Sequence, residues 1–218
     1  MNTFQRFFKK ALASLMLAGL CLCFVTNACG QCPTDIAPTT ISWTGPSNTN
    51  ITIPGTTCQV KVIYCTRVVS GVEQVVVEEI DPLSSDCNSV NWSTILGTVR
   101  DYFLKYYVET DPCDPNNPCG GSLITEASIF MAECLQVVKE DGVAAVQFCG
   151  GAYCVKTCGL CYDDVDEDNA LCNCQTTVVG SSSCSTAPDG WPNTSVGTAN
   201  NWPSQNFGAC FTTSCDSY

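Results

Sequence analysis

Cysteine spacing, more than any other feature, decides what this chain can fold into. Nineteen of its 218 residues are cysteine, and three of these, Cys21, Cys23 and Cys29, fall in an amino-terminal stretch built like an export signal. Arg6, Lys9 and Lys10 open that stretch, an apolar run from Ala11 to Val25 follows, and the small residues Ala28, Cys29 and Gly30 close it. Basic region, short apolar run and small-residue exit are the parts of a secretory signal peptide, and the run is short for a spanning helix. Residues 1–30 are therefore expected to be removed after Gly30, leaving Gln31 as the new amino terminus and no membrane span. A lipoprotein route would instead cut before Cys29 and acylate it, although Thr26-Asn27-Ala28 lacks the usual aliphatic residue three before that cysteine.

Either route leaves sixteen cysteines to pair, nineteen less three, an even number that predicts as many as eight disulfides in an oxidising compartment. Cys154, Cys158, Cys161, Cys172 and Cys174 have a spacing that a metal could use. Exported thiols oxidise, however, and Cys158-Gly159-Leu160-Cys161 lacks the βαβ surroundings of a thioredoxin-like redox motif.

Charge and histidine content narrow the function further. Twenty-one acids face nine bases, for a net charge of −12, and losing three leader cations makes it −15. Nucleic-acid binding needs clustered cations and is excluded on that ground. With no histidine in the chain, Ser-His-Asp, Cys-His and His-ligated zinc chemistry are excluded too. An enzyme built from this chain would be a carboxylate-dependent one acting on glycosides, drawing on two of Glu73, Glu78, Glu79, Glu126, Glu133 and Glu140, and no catalytic motif singles out a pair.

Residues 31–174 read as a disulfide-stapled β-rich domain with one helix. From Gln31 to Gly55 the chain is loop with one or two short edge strands. From Cys58 to Val69, Cys58, Val60, Val62, Tyr64 and Val68 alternate with Gln59, Lys61 and Arg67, the pattern of a half-buried strand with the latter set facing out. Ser70-Gly71 then turns the chain back into Glu73–Ile80, and this hairpin is the expected free edge of the sheet. Between Asn91 and Val108, Trp92, Ile95, Leu96, Val99, Phe103 and Tyr106 recur at helical steps, with Ser89 or Asn91 as the cap. Asp141-Gly142 predicts a second hairpin, and 143–162 a meander. Residues 175–218 are rich in Ser, Thr, Gly and Asn and are expected as irregular loops. Because this segment holds three cysteines, Cys184, Cys210 and Cys215, at least one must pair with an earlier residue if every thiol pairs within the chain.

Two motifs suggest sites. Asp164, Asp166 and Asp168, with Leu171 beyond, resemble the front half of an EF-hand or dockerin-type calcium loop, which implies Ca²⁺ as a cofactor. Asn169 stands where that pattern has glycine, and Gln175 where it has a bidentate Glu. Trp191-Pro192 and Trp202-Pro203 form an echo in polar surroundings, the kind of stiff aromatic pair that contacts a glycan or a protein partner. The expectation is an α+β, mainly β, disulfide-rich protein, secreted or at the cell surface, acting as a binding or structural module. The alternatives are the glycoside-acting enzyme and a subunit of an extracellular homo-assembly.

Overall fold

Alternating burial marks β2 (Gln59–Val69), which pairs antiparallel with the largely exposed β1 (Thr44–Thr52) on one side and with β3 (Val72–Pro82), buried through Val75–Val77, on the other. Ser70 and Gly71 join β2 to β3 with φ of 54° and 86°, the mirror-image turn whose twist suits a tight hairpin. The computed structural model describes residues 32–114, 119, 124–140 and 142–215. The expected leader, its cleavage site and Cys29 lie outside these residues.

Six more strands complete one nine-stranded sheet: β4 (Thr125–Ala132), β5 (Cys134–Glu140), β6 (Val143–Phe148), β7 (Gly151–Asp163), β8 (Asp168–Ser181) and β9 (Phe211–Thr212). The fold is α+β and mainly β, with one principal helix, α1 (Trp92–Tyr102), continued by a π-helical turn over Phe103–Tyr107. Strand order differs from a meander: β6 pairs with β5 and β3, while β7 pairs with β4 and β8. Nor is the β2–β3 hairpin an edge, because β1 covers its β2 side and both β4 and β6 cover its β3 side. The polar stretch before β2 supplies the outer strand instead, with Ile51 as its one buried residue.

β3 is where the sheet divides. Glu73–Val76 runs parallel to β4, whereas Glu79 and Ile80 pair antiparallel with β6. At the division Tyr64 faces Val77 and Ile63 faces Glu79, so Glu78 is an extra, bulged residue. A bulge bends the strand and raises its local twist, which lets two different partners share one edge.

The main core lies between one face of the sheet and α1. Trp92, Ile95, Leu96 and Val99 are fully buried there, each contributing on the order of 1.5–3 kcal/mol relative to exposure. The other face carries a second, smaller core of Ile36, Cys65, Val76, Phe130, Ala132, Tyr153 and Val155, with Trp43 packed against it. Arg67 lies on this face and is buried, contrary to its expected outward position. Its guanidinium donates to the carbonyls of Ile36, Ala37, Pro38 and Ile41 and stacks 4.2 Å over Trp43, so the segment ahead of β1 closes over the strand.

Eight disulfides join the sixteen cysteines: Cys32–Cys65, Cys58–Cys87, Cys113–Cys161, Cys119–Cys172, Cys134–Cys184, Cys149–Cys210, Cys154–Cys215 and Cys158–Cys174. The last three cysteines each reach back, to β5, to the end of β6 and to β7. Gln175–Ser181, read from composition as loop, is the outer half of β8, and the β-branched run from Thr176 to Val179 suits that conformation. Beyond it the described chain is irregular except for a helical turn, α2 (Val196–Ala199), a 3-10 turn over Ser204–Asn206 and the short β9.

The tail is built into the body. Asn91 makes no side-chain cap, and the first turn of α1 is satisfied instead by the carbonyls of Thr194 and Pro192, which accept from Trp92 and Ser93 at 3.0 and 2.8 Å. Asn200 accepts from the Ala144 amide and donates to Asn88 at 2.9 Å, while its carbonyl accepts from Lys139 at 3.1 Å. Val196, Ala199 and Phe211 complete the main core.

Candidate functional site

A cleft of about 740 Å³ opens where the β2–β3 turn meets β4, β7 and β8. Its construction starts from a mismatch in pairing: Thr157 faces Gln175 and Gly159 faces Cys172, so Asn173 and Cys174 on β8 oppose Cys158 alone. The bulge is pinned by the Cys158–Cys174 disulfide, and Asn173 takes the left-handed conformation it requires, φ 51°. Gly159 is demanded by packing, since a Cβ there would lie 2.5 Å from the Ile124 side chain. Around this floor stand the hydroxyl residues Ser70, Thr125 and Thr157, the amides Asn173 and Gln175, and the carboxylate of Glu126. Hydroxyls and amides can each donate and accept, which suits a ligand rich in neutral polar groups. Composition offered no signal for this cleft, because its walls come from four segments brought together by pairing and a bridge.

The acidic run forms the turn between β7 and β8. Asp163 pairs with Asp168 across the hairpin, its carboxylate accepts from the Val165 amide at 2.9 Å, and Asp164–Glu167 are exposed. Asp168 is buried and faces the other way, accepting from Lys105 at 3.0 Å and from Tyr106 at 3.3 Å. That partnership raises the Lys105 ammonium above its usual range, chiefly through the hydrogen bond. Asn169, beside it, donates to the carbonyls of Leu104 and Val108 and accepts from Thr110, tying the end of the helix to β8. Among the described residues no three Asp, Glu or Cys side chains converge as a metal-ligand set.

Trp191 and Trp202 come together, with ring centroids 6.1 Å apart, and both are half-buried against the main core. Trp191 also lies 5.9 Å from Trp92 and 5.2 Å from Phe211, and its indole N–H donates to Thr213 at 3.2 Å. Both rings thus help anchor the tail to the main core.

The candidate glutamates scatter. Glu79 is buried and accepts from Gln147, Glu133 accepts from Ser182, and Glu126 lies at the cleft. Glu78 stands apart chemically. Its bulged position at the division of the sheet leaves Oε1 buried with no hydrogen-bond partner among the described residues. Burial, helped by the nearby Asp35 charge, pushes its carboxyl up to about 7. Asp35, on the segment that closes over this face, was not among the sequence candidates, since nothing in the spacing places it beside Glu78.

These features define a disulfide-rich, mainly β protein with a polar cleft and a stapled tail. Its eight bridges are the chemistry of an oxidising, extracellular setting, and no helix among the described residues is long and apolar enough to cross a membrane. Comparison with family models, curated proteins and solved structures finds no match to this chain.

Proposed function

We propose that this chain is an exported binding module that takes a neutral, hydroxyl-rich ligand, a glycan, in the cleft beside the β2–β3 turn. The observation that carries this reading is the lining: six polar side chains on a rigid, bridged floor, with Glu126 the one ionisable group among them. Rigid placement matters because a site ordered in advance loses less freedom on binding. Rings of Trp191 and Trp202 remain a second contact surface for a glycan or protein partner, supported by their partial exposure and mutual contact.

A glycan array probed with the whole exported protein tests both. Binding that Asn173→Gly, which keeps the left-handed backbone, and Glu126→Gln each weaken at least tenfold, with the thermal midpoint little changed, is the expected result. Loss through Trp191→Ala or Trp202→Ala alone would move the site to the tail. An array without any hit overturns the glycan reading.

A further inference from the structure

We propose that the outer half of β8 is a dimerisation edge, where a second copy of this chain adds its own β8 antiparallel. This goes beyond the cleft and does not depend on it. The sheet has two long outer strands, β1 and β8, and they are finished differently. β1 carries Pro46 and an irregular register between Thr44 and Ser47, devices that discourage further pairing. β8 has neither over Gln175–Ser181: these seven residues pair in unbroken register with Thr157–Gly151 on one side, and all seven are exposed. Over Gln175–Val179, before Gly180 turns the strand at φ 89°, its outward backbone groups form an unblunted edge, and Val178 is 56% exposed beside the partly exposed Val179.

Charge selects the occupant. No charged residue stands between Asn169 and Pro188, in a chain that carries 21 acids against 9 bases. Two copies repel through most of their surfaces, and this neutral strip is where their approach adds least repulsion. The strip is also self-complementary. An antiparallel pair centred on Thr177 sets Thr177 against the second copy's Thr177 and Thr176 against its Val178, so that opposed residues share a face. Both are cross-strand pairs of β-branched side chains, which pleated strands favour. A two-fold arrangement of this kind closes on itself, so growth stops at the dimer.

Sedimentation equilibrium of the whole exported protein, from micromolar to submillimolar concentration at physiological salt, is the test. A monomer–dimer equilibrium is expected, weakened at least tenfold by Val178→Lys and separately by Thr177→Lys, each of which brings like charges together across the two-fold axis. Thermal unfolding at micromolar concentration should be unchanged in both variants, because the altered side chains face solvent in the monomer. Hydrogen exchange of the unaltered protein gives an independent reading: amides of 175–181 should become more protected as concentration rises. A monomer throughout, a dimer indifferent to both lysines, or open-ended polymers would each overturn the proposal.

Discussion

Arg67 shows how a single side chain can organise a face. It is 5% exposed and holds four consecutive-segment carbonyls plus the Gln74 side chain, whose oxygen accepts from Nε at 2.9 Å. Burial lowers its pKa from the usual arginine value, but the group stays charged at any ordinary pH. Arg67→Ala should therefore leave buried carbonyls unpaired and cost about 2–4 kcal/mol. The check is thermal unfolding together with proteolysis between Pro33 and Trp43, which should become susceptible while Cys32–Cys65 still tethers the fragment. Alternation along β2 revealed two faces in the sequence, and Arg67 was legible as facing away from the main core. What alternation cannot show is that a distant, Pro-rich segment returns to cover the second face. Glu78 gives the complementary case. An acid whose folded pKa lies near 7 and whose unfolded pKa lies near 4.5 favours folding most below the lower value. Stability drawn from it falls as pH rises between those values and stays low above them. Glu78→Gln is expected to match the wild type at pH 4 and to be more stable at pH 8, by roughly 3 kcal/mol at most. Equal midpoints for the two proteins at pH 8 would show that water reaches the carboxyl.

At the scale of elements, α1 was plain in the sequence because its apolar residues repeat every three or four positions over a single stretch. Its capping was not, since the accepting carbonyls come from residues about a hundred positions later, Pro192 and Thr194. The β7–β8 hairpin makes a similar point. Its acids read as a calcium motif, yet Asp168 is turned inward to Lys105, a relation that spacing alone cannot reveal. Any calcium response must therefore compete with that ion pair. Calorimetric titration of chelator-treated protein with millimolar Ca²⁺ should give a stronger response in Lys105→Met than in the wild type, and none in Asp166→Ala. Silence in all three proteins removes the ion from the account of this hairpin.

For the molecule as a whole, cysteine parity made a tethered tail foreseeable, while the partners themselves depend on a strand order that no local pattern carries. Two of the bridges are offset by the same five positions at both ends: Cys149–Cys210 and Cys154–Cys215. Each keeps the ends of the other close, so the loop that one of them closes is short while its neighbour is intact. Replacing either pair by alanines should cost about 3 kcal/mol, less than the roughly 4 kcal/mol of a lone bridge closing the long loop, and replacing both should cost clearly more than the sum. Thermal midpoints of the three variants decide the matter, and strict additivity would contradict it.

The caps and bridges contributed by the last stretch of chain also bear on biogenesis. Cys134, Cys149 and Cys154 find their partners 50, 61 and 61 residues downstream, and the helix receives its amino-terminal acceptors from the same region. If the chain is exported amino end first, as proposed above, those thiols emerge before the residues they need, with Cys158 and Cys161 as wrong partners close at hand. On that route these three pairings wait for the final segment, and any wrong bridge formed earlier is corrected by thiol–disulfide exchange, so their formation should be late and accelerated by a disulfide isomerase.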